Sequence, residues 1–295
     1  MSIPEYGFNP PDTGGAGFEI TDLATLRGRM TLPDAVHRTD FHTINLVTDG
    51  HGDRAADFTT YPCRPGTLLW IRPGQVQRYD WSGTMNGPHV LFTSAFPARF
   101  SGADHLVADW SGPVCWQLDA GPDYALVATL LDQLRAEFTR ADGPISTEIL
   151  QFLLAALLLQ IDRLPRPDQD GDPHAGGEPY ARFRAELARS YRTTRRAEDY
   201  AQRLGYTVRT LTRACLAATG QPVKHVIDER VALEARRLLA HTDEPVAVIA
   251  RRLGFSEPTN FGKFFTRHTG MTPGEFRYSV TAVDRWPARR SPVRC

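Results

Sequence analysis

The stretch Ala201-Gln-Arg-Leu204-Gly205-Tyr206-Thr207 returns 49 residues later as Ala250-Arg-Arg-Leu253-Gly254-Phe255-Ser256. In each copy a glycine follows a helical segment, at a point where the chain must turn with a positive φ that costs glycine nothing. A hydroxyl residue, Thr207 or Ser256, then stands where a side-chain oxygen can cap the next helix. The spacing predicts two helix-turn-helix units, and a pair of such units is typical of a DNA-reading domain.

The charge of the chain is divided between its halves. The 295 residues carry no net charge, but residues 1–178 contain 12 Lys and Arg against 23 Asp and Glu, and residues 179–295 contain 22 against 11. A basic half is the electrostatic signature of a domain that contacts phosphates. A solvated basic face without a partner is the simpler alternative. We expect double-stranded DNA to be the partner of the C-terminal half.

The start of the chain and its cysteines bear on its location. No charged segment followed by an apolar one opens the sequence, and the longest apolar run, Phe152–Leu159, is too short to span a bilayer. The four cysteines lack the spacing of a disulfide framework or a metal site. We expect a cytoplasmic protein with no membrane partner, no cofactor and no bound metal.

The sequence of the N-terminal half predicts a series of short β-strands. Ile44–Val47, Thr67–Ile71 and Val90–Thr93 are compact β-favouring runs, with Pro-Gly turns at 65–66 and 73–74. Short strands of this kind, without interleaved helices, indicate an antiparallel β-barrel or a jelly roll.

A pair of helices follows. Tyr124–Arg140 and Ile145–Arg163 place apolar residues at helical spacing, separated by Asp142-Gly143-Pro144. The second helix is apolar around most of its circumference, so one face is expected to pack on the barrel. The remaining stripe predicts a homodimer formed through residues 124–163, the alternative being a purely intramolecular core.

The predicted fold class is α+β, with an N-terminal antiparallel β-barrel and helical hairpin and a C-terminal all-α double helix-turn-helix. Composition places the domain boundaries, since residues 164–178 are rich in Pro, Gly and Asp and have almost nothing to bury. The segments are a poorly ordered leader and first segment at 1–33, a barrel and dimerisation domain at 34–163, the linker at 164–178, the DNA-binding domain at 179–278 and a basic tail at 279–295.

A long helix at Lys224–His241 lies between the two repeats. Its apolar stripe can hold the units at a fixed separation, so that the recognition helices, predicted at Val208–Leu216 and Glu257–Arg267, reach successive major grooves. Pro258 is tolerated because it falls in the first turn, where its missing N–H has no helical partner.

Residues 253–277, Leu-Gly-Phe-Ser-Glu-Pro-Thr-Asn-Phe-Gly-Lys-Phe-Phe-Thr-Arg-His-Thr-Gly-Met-Thr-Pro-Gly-Glu-Phe-Arg, resemble the signature of the AraC/XylS family of bacterial transcription regulators. The resemblance covers about 180–278. It implies a core at Phe261, Phe264 and Phe265, and a closing turn at Gly270, Pro273 and Arg277. The first unit departs from the family pattern at Cys215-Leu216, where a bulky aromatic residue is more usual.

The same resemblance implies which side chains face DNA: Arg209, Thr212 and Arg213 on the first recognition helix, and Pro258, Thr259 and Lys263 on the second. Arginine can address guanine bidentately, threonine can contact a thymine methyl, and lysine can contact a base or a phosphate. The alternative is that some of these residues are phosphate anchors or plain helix surface.

Residues 45–52 and 61–79 resemble the cupin-like effector domain found in many members of that family. Some cupins are metalloenzymes, whose metal site needs paired histidines, a carboxylate and a later histidine. Here His37, His42 and His51 are not so spaced, and Gln77 stands where the second motif would have a histidine. The sequence therefore predicts neither a metal site nor an enzyme.

A pocket without metal remains open, because a small barrel can enclose one small ligand. Candidate lining residues are Arg38, His42, Trp70, Tyr79 and Phe92, which would suit a small organic acid or a sugar. For Trp70 and Phe92 the alternative is ordinary core packing.

The resemblance implies a sequence-specific, effector-responsive regulator, with activation favoured, whose dimer recruits or releases RNA polymerase at a promoter. Two alternatives remain. One is a cupin enzyme that carries an accessory DNA-binding domain. The other is a nucleoid-type architectural protein, bound mainly through phosphate contacts and with little sequence preference.

Overall fold

A computed structural model describes residues 4–9, 17–29, 36–80, 82–98, 104–107, 112–140, 143–165 and 176–281. These residues belong to two compact units, one within 4–165 and the other within 176–281. Residues 1–3, 10–16 and 30–33 of the predicted leader and first segment, residues 166–175 of the predicted linker and residues 282–295 of the predicted tail lie outside the described residues.

Within the described residues, the N-terminal unit contains ten strands and four helices. The strands are β1 (Glu5–Tyr6), β2 (Phe18–Asp22), β3 (His37–Thr39), β4 (His42–Leu46), β5 (Gly52–Ala56), β6 (Thr59–Cys63), β7 (Thr67–Ile71), β8 (Val76–Tyr79), β9 (Pro88–Phe92) and β10 (Cys115–Gln117). The helices are α1 (Leu23–Arg29), α2 (Asp104–Val107), α3 (Pro122–Arg140) and α4 (Gly143–Asp162). Residues 18–29, assigned above to a poorly ordered leader and first segment, thus form β2 and α1.

The strands form two five-stranded sheets, in the orders β1-β3-β8-β5-β6 and β10-β7-β4-β9-β2. Pairing is antiparallel except between β1 and β3, which run parallel. The prediction of a closed barrel is therefore wrong, because among the described strands no ladder joins one sheet to the other. Two of the edge strands, β1 and β10, contain only two and three residues, too few to extend a ladder around a corner.

The second sheet is covered on both faces, and most residues of its strands are therefore buried. One face packs against α3 and α4 through Ile44, Leu46, Leu68, Trp70, Val90 and Phe92. The opposite face looks toward the first sheet, where Leu69 shares a small core with Cys63 and Tyr79.

Helices α3 and α4 confirm the predicted pair. They run antiparallel, with Gln160 near the end of α4 donating a hydrogen bond of 3.5 Å to Asp123 at the start of α3. By length and composition α4 could cross a membrane, which corrects the expectation drawn from the shorter run Phe152–Leu159. Its Leu154, Leu157 and Leu158 lie in the core formed with α3 and the second sheet.

The C-terminal unit is helical: α5 (Gly177–Ser190), α6 (Ala197–Leu204), α7 (Val208–Thr219), α8 (Val223–His241), α9 (Val246–Arg252), α10 (Pro258–Thr269) and α11 (Pro273–Thr281). The pairs α6–α7 and α9–α10 confirm the two predicted helix-turn-helix units, with the long α8 between them. Arg277 of α11 donates hydrogen bonds to the carbonyl oxygens of Leu239 and Glu244, at 3.3 and 2.6 Å, and so ties the end of the domain to α8 and the loop after it.

Two cysteines of the described residues, Cys63 and Cys215, are buried free thiols.

Candidate nucleic-acid interface and ligand cavity

The first turn has the predicted backbone and cap. Gly205 ends α6 with φ 71°, in the left-handed region. The hydroxyl of Thr207 then accepts a hydrogen bond of 3.1 Å from the backbone N–H of Thr210, which satisfies one of the free donors in the first turn of α7.

The second turn differs from the first by one residue. Gly254 again has a positive φ, 75°. However, the N-cap of α10 is Glu257, without a side-chain hydrogen bond, so the expectation that Ser256 caps this helix is wrong. The reason is Pro258, since a residue before proline is excluded from helical geometry and Glu257 accordingly has φ −125° and ψ 130°. Helix α10 therefore begins one residue later in its repeat than α7.

The extra residue before α10 sets which positions of α7 and α10 correspond. Both α7 and α10 contain 12 residues and end at a left-handed glycine, Gly220 and Gly270. Corresponding positions of α7 and α10 are therefore 50 residues apart in the sequence, whereas corresponding positions before the two turns are 49 residues apart. The buried positions agree with this register, with Leu211, Ala214 and Cys215 matched by Phe261, Phe264 and Phe265.

The residues predicted to face DNA lie on the surfaces of these helices that the core leaves open. Arg209, Arg213, Pro258, Thr259 and Lys263 are exposed, and Thr212 is half-buried. Within the described part of the chain, Arg209, Arg213 and Lys263 have no ion pair. Other surface arginines of the unit do have one, such as Arg203 with Glu186 at 3.1 Å. The three free cations are thus available to a phosphate or a base.

A buried charge network supports the two units from the centre of α8. Glu234 pairs with Arg230 at 3.2 Å, with Arg237 at 3.5 Å, and with Arg192 at 3.3 Å. The three residues Arg230, Glu234 and Arg237 are buried together with the apolar stripe of α8. Their partner Arg192 comes from the segment after α5, which the sequence analysis did not single out.

The same segment contacts the second turn. A Cβ on Gly254 would lie 2.6 Å from the carbonyl oxygen of Arg192, so only glycine fits there. The guanidinium of Arg195 lies 3.4 Å from the ring centroid of Phe255. Residues 191–196 therefore link the first unit to the turn of the second.

A cavity of about 400 Å³ lies between the two sheets of the N-terminal unit. Its polar and ionisable lining residues are Tyr6, Asn9, Glu19, Arg29, His37, Thr39, Thr43, Gln77, Tyr79 and His89. Its apolar lining residues include Phe8, Leu26, Phe41 and Leu91. No group of three or more His, Cys, Asp or Glu among the described residues could hold a metal ion.

Of the five predicted pocket residues, only Tyr79 lines this cavity. Trp70 and Phe92 belong to the core against α3 and α4. His42 lies with them, accepting a hydrogen bond of 3.2 Å from the Trp70 indole, and stacked on Phe92. Arg38 is also absent from the cavity wall.

The strand neighbours of the predicted residues line the cavity in their place. His37, Thr43 and Leu91 are each one residue away from a predicted position. Successive side chains of a strand point to opposite faces, so an error of one residue moves the prediction to the other face. In the second sheet Thr43 and His89 face the cavity and Ile44 and Val90 face the helices, so the predicted residues His42 and Phe92 lie on the wrong face.

Neutral polar groups and one ion pair make up much of the polar wall. The Tyr79 hydroxyl and His89 Nε2 are 3.2 Å apart and share a hydrogen bond. Burial, and to a smaller extent the charge of Arg54, lowers the pKa of His89 to about 3, so this imidazole is neutral at physiological pH. Glu19 forms an ion pair with Arg29.

Both units match known protein families. Residues 29–158 match the family described as AraC-like ligand binding domain. Residues 200–279 match a family of helix-turn-helix domains. The chain belongs to the AraC family. In this AraC-family regulator the first match spans most of both sheets and much of the helix pair, and the second extends from the middle of α6 into α11.

Known relatives align with most of the length of this AraC-family chain. The HTH-type transcriptional activator RhaS of Escherichia fergusonii is 25% identical over 253 residues, covering 82% of this chain and 86% of that protein. RhaS of Klebsiella pneumoniae is 25% identical over 270 residues, covering 88% and 95%. Among solved structures, the DNA-binding domain of AdpA in complex with a target DNA is 27% identical, covering 37% of this chain and 97% of that one, with a TM-score of 0.34.

Proposed function

We propose that this protein is an effector-responsive, sequence-specific transcription activator that reads two successive major grooves through α7 and α10. The observation that carries this proposal is the placement of Arg213 and Lys263. Each is the sixth residue of its helix, and each is exposed and free of ion pairs. The proposed contact set also includes Arg209, Thr212, Pro258 and Thr259. Its arginines can form bidentate hydrogen bonds to guanine.

Activation is favoured because the relatives described above are transcription activators. The protein then acts in the cytoplasm, bound at a promoter beside RNA polymerase, and it is a regulator rather than an enzyme.

Homodimerisation is proposed through the helix pair. One side of α4 exposes a stripe of large apolar side chains, Ile145, Ile149, Phe152 and Leu159, and Leu126 of α3 is also exposed. Monomeric proteins rarely leave such stripes open to water. A dimer built on this stripe would carry two DNA-binding units to two half-sites.

The cavity between the sheets is proposed as the effector site. It lies in the unit that matches the ligand-binding family, and its volume falls within the range of small-molecule sites. An effector bound there would act through the dimer or the linker on the presentation of the DNA-binding units.

The deciding experiment compares binding of the full chain to its own upstream intergenic region and to random DNA, at near-physiological salt. We expect a specificity ratio above ~10³ for a regulator. The double variant Arg213→Ala/Lys263→Ala should lose this ratio, and Arg189→Ala should retain it. Arg189 is a matched control, since it is an exposed arginine on α5 paired with Glu186. A wild-type ratio near one would contradict the proposal and favour architectural binding.

A further inference from the structure

We propose that the cavity between the two sheets takes a small organic anion, a carboxylate with an apolar body, and that Arg54 gives the cavity its preference for the anion. The inference rests on the proposed effector role of the cavity and adds the chemical class of the ligand.

Arg54 is a buried cation without a compensating charge. It lies in the middle of β5 and is 1% exposed. Its Nη2 donates a hydrogen bond of 2.8 Å to Gln77 Oε1, and its guanidinium carbon lies 3.2 Å from the centroid of the Tyr79 ring. Its Nε and Nη1 have no hydrogen-bond partner. No carboxylate of the described residues pairs with it.

A second buried arginine of the same unit, Arg72, has more hydrogen-bond acceptors than Arg54, although its Nε also has no partner. Arg72, 3% exposed, donates to the carbonyl oxygens of Gly112 and Pro113 at 3.1 and 2.9 Å and stacks on the Trp70 ring. Burying a charge without such partners is costly, so Arg54 is retained at the expense of stability. A ligand carboxylate in the adjoining cavity would compensate its charge.

The charge of Arg54 reaches the cavity through the residues that line it. Both of its contacts, Gln77 and Tyr79, are lining residues. A third lining residue, His89, is buried and has no partner for its Nδ1. The lining carboxylate of Glu19 is already paired with Arg29, so it does not cancel the field of Arg54. In a low-dielectric cavity an uncompensated positive charge of this kind favours an anion.

The rest of the wall selects the body of the ligand. Phe8, Leu26, Phe41 and Leu91 present apolar surface to the cavity. A sugar would leave several hydroxyls against these side chains without hydrogen-bond partners, which is unfavourable. An aromatic or short aliphatic acid matches both the apolar wall and the positive field.

The test is thermal unfolding of the full chain with matched pairs of probes that differ only in charge: benzoate with benzamide, and hexanoate with hexanamide. We expect a carboxylate to raise the Tm of the wild-type protein and its amide to leave it unchanged, because only a ligand that binds the folded state stabilises it. In Arg54→Met the carboxylate should lose at least about tenfold in affinity, the loss expected from an interaction of roughly 1.4 kcal/mol. The Tm of unliganded Arg54→Met should stay near that of the wild type, since removal of the uncompensated buried charge offsets the loss of the donor to Gln77 Oε1.

Arg72→Met is the matched control. It should lower the Tm, because it leaves carbonyl oxygens without their donor, and should retain the preference for the carboxylate. Arg54→Gln provides a second variant if Arg54→Met does not fold. The inference is overturned if no carboxylate stabilises the wild-type protein, if amides stabilise it equally, or if the preference survives in the folded Arg54 variants. The proposed function fails separately, by a DNA specificity ratio near one in the wild-type protein without added ligand.

Discussion

Arg213 and Lys263 are each the sixth residue of a 12-residue helix, although they are 50 residues apart in a repeat that begins with a spacing of 49. The extra residue lies in the second turn, where Pro258 delays the start of α10. The delay keeps the two cations at equivalent points of their helices. A repeat aligned at constant spacing would instead pair Arg213 with Gly262 and miss the equivalence.

The two cations are expected to differ in what they contribute to binding. Arg213→Ala should cost ~1–3 kcal/mol of binding free energy and relax the preference at one base pair, as for an arginine that reads guanine. Lys263→Ala, if Lys263 contacts a phosphate, should weaken specific and random DNA alike and lower the salt slope by about one. Fluorescence anisotropy over a salt series, with Arg189→Ala as control, measures both. An equal loss on both DNAs for Arg213→Ala would make Arg213 a phosphate contact.

The turns before α7 and α10 provide a matched pair of variants that measures how much an N-cap contributes to the free energy of unfolding. Thr207→Ala removes the acceptor for the Thr210 N–H and should lower the free energy of unfolding by about 1 kcal/mol. Ser256→Ala, at the corresponding point of the second turn, should change it by less than about 0.5 kcal/mol, as for an ordinary surface site. Urea unfolding of both variants measures these two changes in the free energy of unfolding. Equal losses would mean that Ser256 caps α10 in solution.

The helical half was largely predictable because its rules are local. A glycine with positive φ, a capping threonine and apolar residues three and four apart fix the helices within short windows of sequence. The one error, at Ser256, also had a local signal, since Pro258 restricts the residue before it. The buried state of Glu234 had no such signal, because its partner Arg192 is 42 residues away in the chain.

The sheet half shows where local rules end. The runs around Ile44, Thr67 and Val90 all lie in strands, but closure into a barrel depends on the edge strands, and β1 and β10 are too short for it. The cavity residues were missed for a different reason. Thr43 and His89 on the cavity face alternate with Ile44 and Val90 on the helix face, so the alternation is present in the sequence, but it does not say which face encloses a cavity.

Two glycines with similar positive φ angles, Gly205 and Gly254, allow the cost of backbone strain to be measured separately from the cost of a steric clash. Gly205→Ala places a Cβ in open space at φ 71° and should cost roughly 1–2 kcal/mol from the left-handed conformation alone. Gly254→Ala has the same strain at φ 75° and also brings its Cβ within 2.6 Å of the Arg192 carbonyl oxygen. The second variant should therefore lose a further ~1–3 kcal/mol, the cost typical of overpacking. Equal free energies of unfolding would show that residues 191–196 do not contact this turn in solution.

Glu234 is expected to be essential for the stability of the DNA-binding unit. Glu234→Gln removes the negative charge shared by Arg230 and Arg237, whose side chains are 9% and 2% exposed. Breaking a buried pair in this way costs ~3–5 kcal/mol. Glu198→Gln is the control, because Glu198 is exposed and pairs with Arg196 at 3.7 Å, so its loss should cost less than ~1 kcal/mol. Chemical unfolding monitored by circular dichroism measures the free energy of unfolding of both variants. Similar small losses in the two variants would contradict the burial of the Glu234 network.

Phe152 is the test of the proposed dimer. Its side chain is 54% exposed in the middle of the apolar stripe of α4, between Ile149 and Leu159. A charge introduced there would be desolvated at an interface between two copies, so Phe152→Glu should convert the dimer to a monomer without lowering the Tm of the separated chain. Light scattering after size exclusion measures the mass, and Gln133→Glu, an exposed site on α3, is the control and should leave the dimer intact. A wild-type monomer at micromolar concentration, or a Phe152→Glu dimer, would contradict the assignment of this stripe to dimerisation.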